Sequence, residues 1–375
     1  MSPPYALSAK LLSENPITAM RHYQCICGNV LFFDNSACLQ CGSEVGYNPE
    51  ADKMEALDTE SIFKRCQNGV DFATCNWVLP KNSAASLCVS CSLNRTIPSV
   101  SNPQNLDAWH KIEIAKRRVL YTLIRLGIAP VGKNLDIING LAFVFLRPDP
   151  GMFVLTGHED GVITLNIEEA EDLEREKRRE LFGESYRTLI GHFRHEIGHY
   201  YWDRFFQGKP DDALETQGFR ELFGDERQNY DAALARYYSQ GPIQAPPGTF
   251  ITTYASSHPW EDWAETWAHY LHMIDGVETA ESFGLNSQAV PIPFTPFPKE
   301  TVFLPASLVW EKGDGAHFLD LLHGWAKLAP AINEIAASLG HPTFYPFILS
   351  EPIIRKLSFV HYMVKHHPQP APLPA

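Results

Sequence analysis

The sequence predicts an α+β chain in which a loop-rich, cysteine-bearing N-terminal module precedes a mainly helical domain with a small β-sheet. Three observations carry that expectation. All eight cysteines lie between Cys25 and Cys91, so composition changes abruptly near residue 100. Sustained apolar positions at helical spacing begin only after Asn105. Two short β-like runs, Leu141–Leu146 and Gly161–Ile167, are set among helical segments. The boundaries that follow are a flexible N-terminus at 1–21, the cysteine module at 22–100, the helical domain at 105–366 and a Pro-rich tail at 367–375. With 375 residues the chain can bury a sizeable core.

Taken in order, residues 22–100 are short apolar pieces separated by Gly, Asn, Ser and Pro, too little pattern for a large core of their own. Asp107–Leu126 carries Trp109, Ile112, Val119, Leu120 and Leu123 at helical spacing, with Gly127 as its stop. Of the two β-runs, Gly161–Ile167 is expected at a sheet edge, where an extended peptide could pair with it. Glu168–Leu181 is charged enough to be a solvated helix, and Ser185–Phe206 is a second helix. A further helix should start at Pro259 and leave at Gly276. Asn286–Pro305, with five prolines, is a long irregular connection. Helices resume at His317–Leu328, Ile332–Leu339 and Ile353–Lys365.

Charge and targeting signals narrow the function. Lys+Arg is 31 against Asp+Glu 44, a net −13, and this argues against a nucleic-acid backbone as main partner. The cations of residues 22–100 are Lys53, Lys64, Arg65, Lys81 and Arg95, which form no cluster. No apolar run approaches the ~18 residues of a membrane helix. The first residues lack a basic stretch followed by an apolar one, so a cytoplasmic protein without a membrane partner is expected. In that compartment paired thiols hold metal more often than they form disulfides.

The cysteines are spaced Cys25-x-Cys27, Cys38-x2-Cys41, Cys66, Cys75 and Cys88-x2-Cys91. Gly28 and Gly42 follow two of them and let the backbone turn its amides toward the sulfurs. Eight thiolates divide into two tetrahedral zinc sites. The simplest partition is Cys25, Cys27, Cys38 and Cys41 for one and Cys66, Cys75, Cys88 and Cys91 for the other, with interleaved pairing as its rival. Four thiolates leave no open position, so both zincs should be structural.

A second constellation uses no cysteine. His192–Asp203 reads HFRHEIGHYYWD and contains His195-Glu196-x-x-His199. On a helix the two imidazoles share a face and can reach one zinc ion, with Glu196 placed to hold a metal-bound water. About 0.04 chance matches to this pattern are expected in a chain of this composition. His192, one turn earlier, is either a spare ligand or a packed histidine.

A catalytic zinc needs a third protein ligand and an open fourth position. Downstream, HPWEDWAETWAHYLH places Trp260, Trp263, Ala264, Trp267, Leu271 and Ile274 on one stripe and Glu261, Glu265 and His269 on another. Glu261 or Glu265 could complete the site. Glu261 is favoured, with Glu265 one turn behind accepting a hydrogen bond from the outer nitrogen of a zinc-bound His. Asp262 is expected to face solvent at the helix N-terminus.

These residues resemble the gluzincin metallopeptidases, defined by HExxH and a downstream glutamate. Tyr254, seven residues before Glu261, resembles the Tyr/Glu spacing of the lethal factor and Mlc titration factor peptidases, and there the first Glu is the ligand and the tyrosine hydroxyl faces the reacting carbonyl. Joined to the two zinc ribbons, the whole of roughly 22–365 is similar to the bacterial zinc-binding metallopeptidase family with an N-terminal double zinc ribbon. The resemblance implies a zincin-like fold and a peptide-bond hydrolase acting on a protein or peptide. Its catalytic zinc would sit on His195, His199 and Glu261, with Glu196 as base and Tyr254 as oxyanion donor, and the ribbons would serve structure or docking. Two rival readings are a catalytically silent, zinc-stabilised protein-binding module and a nucleic-acid-associated protease.

Overall fold

The computed structural model describes residues 22–149, 154–175, 177, 188–290, 297–311 and 313–366. The expected flexible N-terminus and Pro-rich tail lie outside the described residues, as does most of the second half of the charged segment Glu168–Leu181. The chain divides into two compact units, one ending at Phe193 and the other beginning at Arg194. Both contain helix and the first also carries sheet, an α+β architecture.

The first unit opens with three short antiparallel hairpins. β1 (Tyr23–Gln24) pairs with β2 (Val30–Leu31), β3 (Val45–Asn48) with β4 (Lys53–Ala56), and β5 (Phe63–Arg65) with β6 (Val78–Pro80). α1 (Gln67–Phe72) lies between β5 and β6. Such small hairpins bury little surface alone, and their stability comes from what they pack on. That support is α2 (Pro103–Arg125), which starts four residues before the sequence pattern because Asn102 caps it, accepting from the Gln104 amide at 2.9 Å. Tyr121 of α2 packs edge-on against Phe33, and Trp109 against Phe72. Arg117, fully buried, donates to the Thr74 carbonyl beside Cys75. Buried Lys116 pairs with Glu113 at 2.9 Å, and Glu113 also accepts from Asn94 and Trp109. Removing one partner of so buried a pair costs about 3–5 kcal/mol.

After Cys91 come β7 (Asn94–Thr96), then β8 (Ala142–Leu146), β9 (Gly157–Glu159) and β10 (Val162–Asn166). They form a four-stranded sheet in the order β7-β8-β10-β9, antiparallel only between β9 and β10. The run Gly161–Ile167 is therefore not a sheet edge. β10 is hydrogen-bonded to a neighbour on both sides, and Ile163 and Leu165 are fully buried. Its alternating apolar pattern shows that one face is buried but carries no information about lateral neighbours. The segment expected as a solvated helix begins instead with a single 3-10 turn, Ile167–Ala170, in which Glu169 is buried.

The second unit is helical: it begins inside α3 (Leu189–Phe206) and continues with α4 (Leu214–Phe223), α5 (Tyr230–Gln240), α6 (Pro259–Ser282), α7 (Asp314–Ser338) and α8 (Glu351–Lys365). α6 is its axis. Trp263 and Trp267 are fully buried among Phe205, Phe206, Phe219 and Phe359. Each ring pair adds about 0.5–1.5 kcal/mol beyond its area. α3 and α6 approach closely at Gly198, where an added Cβ would stand 3.0 Å from the Ala264 Cα and 3.1 Å from the Trp267 ring.

Three expectations are corrected here. α6 does not leave at Gly276. That glycine has helical neighbours on both sides and makes room for Trp325 of α7, which an added Cβ would strike at 2.4 Å. The two helices expected across 317–339 are one, with Pro330 inside it at the cost of one backbone hydrogen bond. Asp262 does not face solvent: it is buried and its carboxylate takes the Lys356 ammonium of α8 at 2.6 Å. Lys356 also donates to the Thr249 carbonyl. Burial, opposed by Lys356, pushes the Asp262 carboxyl up to about 7. No helix among the described residues is long and apolar enough to cross a membrane.

Candidate metal centre

The HExxH helix and the Glu-bearing helix meet where Gly198 allows. His195 and His199 project from the same face of α3, and their Nε2 atoms lie 3.1 Å apart. Glu261 Oε2 of α6 is 3.0 Å from His195 Nε2 and 3.5 Å from His199 Nε2. Tetrahedral zinc with bonds of ~2.0–2.1 Å sets neighbouring ligand atoms roughly 3.3–3.4 Å apart, so this triangle has the right size.

The donor chemistry agrees. His195 Nδ1 lies 2.7 Å from Glu265 Oε1, a contact that puts a proton on Nδ1 and makes Nε2 the ring nitrogen that can offer a lone pair to a metal. Glu265 Oε2 accepts from Thr252 Oγ1 at 2.7 Å. The buried Glu261 Oε2 lies against both Nε2 atoms, so a metal ion placed among them would meet three ligand atoms at once. Burial opposes ionisation of Glu261, but His199 and His195 outweigh it and hold its carboxyl well below the usual range.

Around this triangle stand the other expected residues. Glu196 is buried next to His195 in the chain, and burial pushes its carboxyl above the ordinary carboxylate range. Tyr254 sits in a 3-10 turn, Tyr254–Ser256, held by the Ala255 amide donating to Thr252 Oγ1. Its ring centroid is 6.0 Å from that of His195, and its hydroxyl makes no hydrogen bond among the described residues. Burial and the nearby Glu261 keep that phenol protonated. His192 does not join the group: its Nδ1 faces Glu169 Oε2 at 3.6 Å. His269 instead packs against Tyr345, its Nδ1 2.9 Å from the hydroxyl.

The cysteines form two four-sulfur groups, Cys25, Cys27, Cys38, Cys41 and Cys66, Cys75, Cys88, Cys91, each with all Sγ atoms within 4.8 Å. The Cys25–Cys41, Cys27–Cys38 and Cys75–Cys88 sulfurs are 3.6, 3.7 and 3.7 Å apart. Zn–S bonds of ~2.3 Å in a tetrahedron predict ~3.8 Å. Amides of Trp77 and Cys88 point at Cys75 and Cys66 sulfurs, both at 3.4 Å. Gly28 and Gly42 adopt φ of 86° and 75°, the left-handed turns their positions after Cys27 and Cys41 foreshadow.

The family described as "Putative zinc-binding metallo-peptidase" matches residues 105–363. The chain belongs to this family. A zinc-ribbon domain matches residues 22–102. Uncharacterized protein Mb2598c of Mycobacterium bovis and uncharacterized protein Rv2568c of Mycobacterium tuberculosis are each 38% identical to the chain over 349 residues, 92% of this chain and 95% of theirs. No solved structure matches the chain significantly. Family and zinc ribbon are those that the sequence motifs resemble, and zinc binding is common to both matches.

In this metallo-peptidase family member two residues of the site escaped sequence reasoning, Thr252 on Glu265 and Tyr230 on Glu261. Tyr230, the first residue of α5, donates its hydroxyl to Glu261 Oε1 at 2.5 Å. Trp260, assigned by pattern to the buried stripe of α6, lies over the His199 ring with centroids 3.8 Å apart. Tyr230 has no spacing relation to HExxH, and the only local sign is Asn229 before it, an N-cap for a short helix.

Proposed function

We propose that the chain is a gluzincin-type zinc peptidase that hydrolyses peptide bonds in a protein or peptide, with His195, His199 and Glu261 holding the catalytic zinc and the two four-cysteine groups holding structural zincs. The observation that carries this reading is the triangle of two imidazole Nε2 atoms and one carboxylate oxygen at zinc-ligand spacing, with a buried carboxylate adjoining it on the HExxH helix.

Zinc bound there supplies a water of lowered pKa and polarisation of the scissile carbonyl. Glu196 accepts the water proton and returns it to the leaving amine; burial, by raising its proton affinity, suits a group that must do both. Glu265 holds His195 in the tautomer whose Nε2 faces inward. Tyr254, with its uncommitted and protonated hydroxyl, donates to the oxygen on which negative charge develops. The zinc-ribbon module supports the fold or docks substrate.

The test is cleavage of a mixed peptide library by the full-length chain, read by mass spectrometry. New termini are expected, lost on treatment with a zinc chelator and restored by added zinc. A fully zinc-loaded protein that cuts nothing, or cutting that survives loss of zinc, overturns the reading.

A further inference from the structure

We propose that Tyr230 is a positioning residue of the metal centre: its hydroxyl engages one carboxylate oxygen of Glu261 so that only the other faces His195 and His199. The inference rests on the reading that those three side chains hold zinc.

Glu261 has two oxygens and the geometry gives them different tasks. Oε2 is 3.0 and 3.5 Å from the two imidazole nitrogens, while Oε1 accepts from the Tyr230 hydroxyl at 2.5 Å. A carboxylate that gave both oxygens to one ion would fill the position a reacting water needs. A phenol donor on Oε1 satisfies that oxygen, and Oε2 alone is left for the metal. A hydrogen bond from outside the ligand set then decides whether the site is open or closed.

Tyr230 is itself held in register with α6. Asn229 caps α5, its side chain accepting from the Ala232 amide at 2.8 Å, and Tyr230 is the first helical residue. The preceding Gln228 carbonyl lies 3.2 Å from His258 Nε2. His258 is the N-cap of α6, and its Nδ1 accepts from the Trp260 amide at 3.1 Å, so Nε2 carries the proton and donates to Gln228. One imidazole thus ties the chain before Tyr230 to the turn that carries Glu261. The phenol ring meets His258 and Trp260 edge-on, with centroids 5.2 and 5.5 Å away. α5 contains no fully buried residue, so losing the Tyr230 hydroxyl removes this bond without opening a core.

The experiment is chelator competition for zinc on the full-length protein, comparing wild type, Tyr230→Phe and Tyr237→Phe. Tyr237 lies on the same helix with its ring against Tyr254 and makes no bond to Glu261. Tyr230→Phe keeps the ring contacts and should hold the zinc assigned to His195/His199/Glu261 about 10–100-fold more weakly. Its cysteine-bound zincs and its melting temperature should match wild type, and Tyr237→Phe should bind all its zinc as wild type does. A Tyr230→Phe protein that holds this zinc within about twofold of wild type overturns the inference and leaves the peptidase reading standing. A wild type whose zinc content is unchanged by His195→Ala/His199→Ala overturns both.

Discussion

The four-cysteine groups and the His–Glu group reach similar donor spacings by opposite routes. Each cysteine group is built from short turns, its donors within 16 or 25 residues of one another in sequence, and it gathers four sulfurs within 4.8 Å of one another. The His–Glu group takes two donors from α3 and one from α6, and it stops at three. Behind its donors stand groups that orient them: Glu265 on His195 and Tyr230 on Glu261. Beside them stand a buried acid, Glu196, and a phenol whose hydroxyl makes no hydrogen bond among the described residues, Tyr254. On the proposed reading, what would separate the closed sites from the open one is the number of donors and the proton-handling groups beside them, not the spacing.

The strongest way to break that contrast is to remove the two imidazoles. His195→Ala/His199→Ala should lower zinc from three to two per chain by elemental analysis and abolish cleavage, a loss of at least about 10³-fold. Unchanged zinc would mean the helical group holds none. Next, Tyr254→Phe should cut kcat about 10²-fold with zinc content intact, because only a hydroxyl toward the reacting oxygen is lost. An unchanged kcat would leave that phenol without a role in the reaction.

The contrast extends to histidines that face no metal position. His269, His272 and His361 are buried, and burial holds their imidazoles neutral, His269 down at about 4. The folded state thus disfavours the proton that an unfolded chain accepts below about pH 6.5. Stability from these groups is complete above that pH and is lost as pH falls from about 6.5 toward 4. For His269 alone the loss between pH 7 and pH 5 is about 2 kcal/mol. Urea midpoints at the two pH values, for wild type and His269→Gln, check it, and wild type should show the steeper fall. The smallest effect expected is at Gly198. An Ala there gains about 1 kcal/mol in helix propensity but presses on Ala264 and Trp267. A net loss of about 1 kcal/mol and a modest drop in zinc affinity are expected, measured by urea unfolding and chelator competition. A stabilised variant would show that α3 and α6 need no such close approach.

The parts of the site legible in the sequence are those fixed by local geometry. C-x2-C pairs, HExxH, and Glu261 and Glu265 at i and i+4 are all statements about one turn or one helix face. What stayed hidden depends on partners far along the chain. Asp262 reads as a solvated acid until Lys356, 94 residues later, is found against it. Gly276 reads as a helix end until Trp325 is seen to need the space. β10 reads as an edge because alternation reports burial of a face and says nothing of the strands alongside. Tyr230 arrives on a helix with no buried residue, so its apolar pattern gives no hint that it touches Glu261. The α+β class was legible because its signs, a cysteine-rich loop module followed by amphipathic helices, recur over many residues.

The central claim is that Glu196 moves the proton in an otherwise complete zinc site, and Glu196→Gln tests it most directly. The substitution keeps size and burial but removes the base. The account predicts zinc content equal to wild type with kcat reduced about 10²–10⁴-fold on a peptide substrate. A Glu196→Gln protein that holds all its zinc and cleaves at the wild-type rate would contradict it.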